Sequence, residues 1–340
     1  MSQPVPPAPE VFDQDIPWHY GEPMREQRWL QAGEAFADLS NRGVVSVSGP
    51  DRLSWLNDLT TALLLDLAAG DSRTALILDP NGRVEHELHL VDDGETCWVI
   101  VAPGAAESVV NYLRSMQFML RVEVLDRSDE MAVVGSLAGP TPTTALASWH
   151  AAAEFAGTGI TPAGSDRGGE AGKYVPARPD SFPAVEAIVL REELASILAT
   201  RPHRAGSWAW EALRVAAAVP RVGIDTDERS LPHELGWIGP AVHLAKGCYR
   251  GQEAVARTHN MGRPPRRLVL LHLDGSADAL PRPGDGVQLA DAQVGRVGTV
   301  VVHYELGPIA LAVVKSRTDS TEALQVRGVA AGQQPVVVVT

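Results

Sequence analysis

The 340-residue chain has few thiols, few aromatic rings and no long apolar run. Two cysteines cannot form the disulfide framework of a small secreted protein, so each cysteine needs an explanation of its own. Phe, Trp and Tyr make up 5% of the residues, and no stretch approaches the ~20 apolar residues of a membrane-spanning helix. The opening MSQPVPPAPE has no cationic region followed by an apolar core. We therefore predict a cytoplasmic protein with no membrane partner.

Basic residues are also scarce relative to acidic ones. The chain carries 29 Lys and Arg against 42 Asp and Glu, for a formal net charge of −13. An acidic protein approaches a nucleic-acid backbone at an electrostatic cost unless a local basic patch offsets it. The dense basic cluster RPPRR at 263–267 is short, and we interpret it as a solvated connector. Direct nucleic-acid binding is not expected.

Hydrophobic periodicity predicts a mixed architecture of more than one domain. The runs TALILD, RVEHELHLV and TCWVIVAPG are separated by turn residues and predict an antiparallel meander, with Cys97 of the third run in the core. Helices are predicted over 24–37, 105–120, 142–155 and 206–219. Closely spaced strand-like runs predict a small carboxyl-terminal barrel, at 268–273, 286–290, 293–303, 307–314 and 335–340.

The second cysteine, Cys248, lies in the stretch KGCYRGQE. If this stretch is a loop, the ammonium of Lys246 could approach the sulfur and favour the thiolate. Gly247 and Gly251 permit backbone conformations closed to other residues, which predicts a shaped turn. The alternative is that Cys248 is a small buried side chain with Tyr249 packed beside it. The residues alone leave both readings open.

Two further groups of polar residues could form sites. His233, His243 and His259 accompany Cys248, but their spacing is irregular for zinc, so no metal site is predicted; a lone cysteine could supply one corner of a shared iron–sulfur cluster. The acidic stretch GIDTDERSLPHE (223–234) is either a solvated loop or a recognition loop. A carboxylate there could accept two hydrogen bonds from an amidine-like edge such as that of a pterin.

The signature KGCYRGQE, extended by AVAR to residue 257, resembles that of the YgfZ family of folate-binding, iron–sulfur-related proteins. This family is similar in fold to the aminomethyltransferase (T-protein) of the glycine cleavage system. Segments 51–61, 212–236 and 266–275 are similar to other parts of the family. The resemblance implies an α+β fold of three-part, T-protein-like (GcvT-like) architecture, with ferredoxin-like α+β domains around a central channel and a carboxyl-terminal β-barrel.

The same resemblance implies a division of the chain. It predicts a Pro-rich tail (1–23), a first folate-binding region (24–130), a second ferredoxin-like region with a Gly-rich loop at 157–172 (131–205), a signature segment (206–265) and the barrel (266–340).

Site residues follow from the resemblance by position. The catalytic signature would be Lys246, Cys248 and Tyr249. Residues expected to bind the cofactor, tetrahydrofolate or a one-carbon derivative, are Asp227, Glu228, Gln252, Glu253 and Arg257. Glu228 falls where transferase relatives carry a carboxylate that binds the pterin.

One departure from the transferases shapes the functional prediction. Where they carry a catalytic aspartate, this chain has Glu85, His86 and Glu87, and the extra methylene of Glu would displace a positioned carboxylate. The resemblance therefore implies a folate-binding accessory factor for assembly or repair of iron–sulfur enzymes, with those enzymes or their assembly factors as partners and an indirect effect on tRNA thiolation. The alternatives are a folate-dependent aminomethyltransferase or demethylase, with Glu85 or His86 as base, and a non-catalytic interaction module.

Overall fold

The computed structural model describes residues 4–5, 13–137, 141–152, 180–276 and 279–337, which form two five-stranded sheets and a closed β-barrel. The predicted α+β class with a carboxyl-terminal barrel is confirmed. The Gly-rich loop predicted at 157–172 lies outside the described residues. Among the described residues, no helix is both long enough and apolar enough to cross a membrane.

The chain begins with α1 (Pro23–Gln31) and β1 (Ala35–Asp38) and then builds the first sheet. Its strands follow the order β3-β4-β5-β2-β6, with bounds β2 (Gly43–Ser48), β3 (Ser72–Leu78), β4 (Val84–Asp92), β5 (Thr96–Val101) and β6 (Glu123–Asp126). The predicted meander β3-β4-β5 is confirmed. One face packs against α2 (Arg52–Leu59) and α3 (Ala106–Ser115), and this core contains the fully buried Cys97, as predicted.

The second sheet has the order β10-β1-β7-β9-β8. The strands not yet named are β7 (Met131–Leu137), β8 (Ala147–His150), β9 (Ala184–Leu190) and β10 (His203–Ala205), and α4 (Leu194–Leu198) precedes β10. β1 pairs with β10 in parallel, whereas the other neighbours are antiparallel. Because β1 lies at 35–38, the predicted first region contributes to both sheets, and the division at residue 130 stays a prediction.

Helix α5 (Ser207–Ala216) is the central element, since nine of its ten residues are buried. Ala212 and Val215 pack in the core shared with the barrel, and Trp210 and Leu213 pack in the core of the second sheet. Its small alanines allow close approach on more than one side.

Beyond a 3-10 turn at Pro232–Leu235, the signature leads into α6 (Gln252–Met261) and then the barrel. The barrel strands run β11-β14-β13-β12-β15-β16, and pairing of β16 with β11 closes the ring. Their bounds are β11 (Arg266–Leu273), β12 (Gly286–Leu289), β13 (Ala292–His303), β14 (Gly307–Lys315), β15 (Leu324–Val326) and β16 (Val329–Pro335).

Three local predictions were wrong. The helix expected over 24–37 ends at Gln31, and a left-handed Gly33 separates it from β1. The segment expected to be helical over 142–155 contains the strand β8, because pairing with β9 outweighs local helix propensity; 153–155 lie outside the described residues. The last described strand ends at Pro335 rather than starting there, and 338–340 are not described.

Candidate functional site

The signature forms a loop from residue 246 to 251 that ends at the first turn of α6, as the glycines predict. Gly251 has φ +83°, and a Cβ there would lie 2.6 Å from the carbonyl oxygen of Asp79 in the β3–β4 turn. Gly82 of that turn has φ +77° and faces the carbonyl oxygen of Gly251. The two turns therefore touch through backbone. Gly247 has no such constraint: a Cβ there would meet nothing within 4 Å, and its φ is not positive, so of the two glycines only Gly251 uses a conformation that disfavours other residues.

Lys246 holds the loop against the carboxyl end of α2. Its side chain is buried, and Nζ donates hydrogen bonds to the carbonyl oxygens of Asn57 and, at 2.5 Å, Thr60 at the end of α2. A helix carboxyl end attracts a cation because its last carbonyls lack partners within the helix. Burial lowers the pKa of Lys246 to about 8, and Nζ lies 5.1 Å from the ring centroid of Tyr249. Two donors of this ammonium are therefore engaged at α2. Its expected approach to the Cys248 sulfur stays a prediction.

The other signature residues divide into loop and surface. Cys248 is exposed, so the reading of it as a small buried side chain is wrong, whereas Tyr249 is buried. The Gln252 amide donates to the carbonyl oxygen of Lys246 at 3.2 Å and closes the loop. Glu253 and Arg257 form an ion pair at 3.0 Å with each other on the exposed side of α6.

The acidic loop is tied to the barrel rather than left free. Both carboxylate oxygens of Asp227 accept hydrogen bonds from Arg266, at 2.6 and 3.1 Å, and Arg266 also pairs with the buried Glu234. Burial opposes ionisation of Asp227, but Arg266 outweighs it and lowers the pKa of Asp227. Glu228 is exposed. Because the Val84 amide donates to the Ser230 carbonyl oxygen at 2.9 Å, the loop borders the start of β4.

A buried carboxylate that the sequence analysis did not select lies between the two sheets. Glu186 interrupts the apolar strand β9 and is 1% exposed. Oε1 accepts a hydrogen bond from Arg42 at 2.6 Å, and Oε2 lies 2.9 Å from Nδ1 of His89. Burial favours neutral His89, but Glu186 and Glu87 outweigh it and raise the pKa of His89 to about 9. Burial likewise opposes the charge of Glu186, yet the two cations lower the pKa of its carboxyl group.

These groups line a cavity with aromatic walls. The Trp149 and His89 rings stack with centroids 3.7 Å apart and planes 4° apart, and Phe182 and Trp210 contribute further surface. The cavity volume is about 50 Å³. This volume holds water-sized molecules, so a bicyclic ring requires the walls to separate. Trp149 belongs to β8, which pairs with β9 and is an edge strand among the described residues.

A buried ion cluster supports the cavity floor. Arg214 pairs with Glu211 at 2.5 Å and with Asp225 at 2.9 Å, and Arg221 pairs with Glu211 and Asp13. Asp225 also accepts a hydrogen bond from the Thr299 amide of the barrel at 2.7 Å. The cluster therefore joins α5, the barrel and the amino-terminal segment behind the cavity.

Strand β4 connects the cavity to the signature. Glu85 occupies a β-bulge and pairs with Arg250 of the signature loop at 3.1 Å. Glu87 and His89 share the cavity face, and four residues of strand span ~13 Å. His86 pairs with Ile77, whose side chain lies in the helix-covered core, so His86 points away from the cavity. Of the residues at the transferase catalytic position, Glu87 is thus the one that lines the cavity.

The residues that the sequence analysis missed left only weak signals. Glu186 is an acid within an apolar strand, and polar side chains occupy positions 85, 86, 87 and 89 of β4. Within the described part of the chain, no group of three or more His, Cys, Asp or Glu side chains could hold a metal ion.

Comparison with known proteins places this geometry among related chains. The model of the GCVT N-terminal domain matches residues 8–160. A tRNA-modifying protein YgfZ from Edwardsiella ictaluri is 26% identical over 343 residues, 98% of this chain and 95% of that protein. An aminomethyltransferase from Symbiobacterium thermophilum is 26% identical over 84% of this chain and 79% of its own length. A chloroplastic Arabidopsis thaliana protein, named as a putative transferase, is 25% identical over 78% of this chain, and the matched region covers 61% of that protein's length.

The fold has a solved counterpart. The crystal structure of glycine cleavage system aminomethyltransferase T from Bartonella henselae matches with a TM-score of 0.71, covering 96% of this chain and 90% of that chain at 19% identity. At this identity the match establishes the fold alone. The predicted resemblance is confirmed: residues 8–160 match the GCVT N-terminal domain, and the chain is similar to YgfZ proteins over nearly its full length and has the fold of an aminomethyltransferase.

Proposed function

We propose that this protein binds tetrahydrofolate or a one-carbon derivative in the cavity beside His89, and that it presents Cys248 at the other end of β4 as an accessory factor for iron–sulfur enzymes. The observation that carries the proposal is the buried Glu186 carboxylate, held by Arg42 and His89 within aromatic walls. Perturbed titratable groups in an aromatic-walled cavity mark candidate binding sites.

The chemistry of the cavity fits a pteridine ring. The ring presents an amidine edge of hydrogen-bond donors, and each Glu186 oxygen keeps a second lone pair beyond the one directed at Arg42 or His89. Flat aromatic walls suit a flat ring. Because Glu228 is exposed and does not line the cavity, we assign the pteridine-binding carboxylate to Glu186 in its place. Of the other residues expected at the cofactor, Asp227, Glu253 and Arg257 are engaged in ion pairs outside the cavity, and Gln252 shapes the signature loop.

The exposed thiol supplies the second half of the proposal. Lys246 and Gln252 hold the loop of Cys248 in a defined shape, and Glu85 joins that loop to β4. A ligand whose ring lies at His89 and whose tail follows β4 would pass Glu87 and reach the signature. An effect on tRNA, in keeping with the name of the YgfZ relative, would be indirect through iron–sulfur enzymes that thiolate tRNA, since the net charge of −13 disfavours direct contact.

The test is calorimetric titration of tetrahydrofolate into the wild-type protein and three variants. We expect one saturable site in the wild type. Glu186→Gln should lower its affinity for tetrahydrofolate by about tenfold or more, because the substitution replaces one carboxylate acceptor by an amide donor. Cys248→Ala and the exposed-acid control Glu228→Gln should bind as the wild type does. Loss of binding in Glu228→Gln but not in Glu186→Gln would return the role to the acidic loop. No saturable binding to the wild type would refute the proposal.

Aminomethyl transfer is the second candidate, because Glu87 places a carboxylate in the cavity next to His89. It predicts turnover of tetrahydrofolate with an aminomethyl donor and a large loss of rate in Glu87→Gln. Absence of product at a tetrahydrofolate concentration that saturates the enzyme would exclude aminomethyl transfer.

A further inference from the structure

Two buried polar atoms at the cavity have no hydrogen-bond partner. Thr74 and Trp149 are each 4% exposed, and both line the cavity. Of the buried side-chain polar atoms without a partner among the described residues, only Thr74 Oγ1 and Trp149 Nε1 belong to cavity-lining residues. A buried donor without a partner destabilises the fold, so a molecule that fills the cavity is expected to supply partners for both.

The two atoms belong to one cluster around His89. Thr74 lies directly opposite His89 in the β3–β4 ladder, and Trp149 stacks on the His89 ring. Directly opposed residues of an antiparallel pair have Cβ atoms about 4.5–5.5 Å apart. The His150 amide donates to Ser72 Oγ at 3.1 Å, which holds β8 against β3. Thr74 and Trp149 thus line the same cavity as Glu186.

The hydrogen-bonding character of the walls differs. The Trp149 indole N–H can only donate, and the Thr74 hydroxyl can donate as well, whereas the Glu186 carboxylate can only accept. The cavity therefore offers an acceptor wall and a donor wall. A 4-oxo pteridine carries donors at N3 and at the 2-amino group and an acceptor oxygen on the ring carbon next to N3. A 4-amino pteridine presents a donor in place of that oxygen.

We propose that Thr74 and Trp149 determine specificity at the pteridine subsite by donating hydrogen bonds to the 4-oxo group, so that the cavity selects 4-oxo over 4-amino pteridines. The inference rests on the proposed folate site and deepens it. A site built to pair with one polar group rejects an analogue that leaves its own polar groups unpaired.

A matched ligand pair tests the proposal. Folic acid and aminopterin differ at position 4, which is oxo in one and amino in the other, and consequently at N3, which carries a hydrogen only in the 4-oxo form. Their affinities are measured by calorimetry alongside tetrahydrofolate, and the donor-removing variants separate the effect of position 4 from that of N3. We expect the wild type to prefer folic acid by about tenfold or more. Thr74→Val keeps the size of the side chain, Trp149→Phe keeps an aromatic ring, and both remove the donor. Each variant should therefore lower the affinity for folic acid by about tenfold and leave the affinity for aminopterin unchanged.

A third variant controls for loss of any buried indole N–H. Trp237 Nε1 is also buried without a partner, but Trp237 does not line the cavity. Trp237→Phe should therefore leave both affinities unchanged, and urea unfolding of all variants confirms that each is folded. Equal affinity for the two ligands, or unchanged folic acid binding in Thr74→Val and Trp149→Phe, would overturn the donor wall while the folate proposal stands. If the wild type binds none of the three ligands, both the donor wall and the folate proposal are overturned.

Discussion

Gly251 is the position at which the signature loop is most sensitive to a single methyl group. Its φ of +83° is a left-handed conformation, and a Cβ would lie 2.6 Å from the Asp79 carbonyl oxygen and 3.0 Å from Gly82 Cα. Gly251→Ala must therefore either strain the backbone or separate the signature from the β3–β4 turn. Gly247 is a matched control four residues away, because a Cβ there meets nothing within 4 Å.

The magnitude follows from two contributions. Placing a non-glycine residue in the left-handed region costs about 1–2 kcal/mol. The Asp79 carbonyl cannot rotate away as a flexible side chain could, and overpacking of this kind adds about 1–3 kcal/mol. We expect Gly251→Ala to lower the free energy of unfolding by about 2–5 kcal/mol. Gly247→Ala should instead be neutral or raise it by up to about 1 kcal/mol, because alanine reduces the entropy of the unfolded chain.

The assay is urea-induced unfolding followed by fluorescence of the eight tryptophans. With a denaturant slope of about 1–3 kcal/mol per molar, the midpoint of Gly251→Ala should fall by about 1 M or more relative to Gly247→Ala. Equal midpoints for the two variants would refute the inferred contact between the signature and the β3–β4 turn.

Two further predictions concern titratable groups. In the native protein iodoacetamide should modify Cys248 and not Cys97, because Cys97 is fully buried and burial raises the pKa of its thiol; mass spectrometry that finds labelled Cys97 in folded protein would contradict this. The raised pKa of His89, about 9, stabilises the fold fully below its unfolded pKa of ~6.5, and that contribution disappears as pH rises through 9. His89→Gln should therefore cost up to about 3 kcal/mol at pH 6 and little at pH 10, as measured by urea unfolding at both values. A cost that is independent of pH would show that His89 is neutral in the fold.

Local patterns carried much of the architecture. The meander and the barrel strands were predicted from short apolar runs separated by turn residues, since both are properties of short segments. The signature was predicted as a loop because its glycines disfavour regular structure, and Cys97 was placed in the core from its apolar neighbours. Where pairing between distant strands decided the outcome, as at β8, the local prediction of a helix was wrong.

The candidate site depended on contacts that no local pattern contains. Glu186 lies 144 residues from Arg42 and 97 from His89, so their ion pairs exist only because the two sheets pack face to face. The sequence by itself determined the signature, its glycine-bounded turn and the family that it resembles. Only the tertiary structure decided that Lys246 binds the end of α2, that Glu186 rather than Glu228 lines the cavity, and that Thr74 and Trp149 meet there. Burial and pairing are properties of the assembled chain, because a side chain's surroundings come from strands distant in sequence.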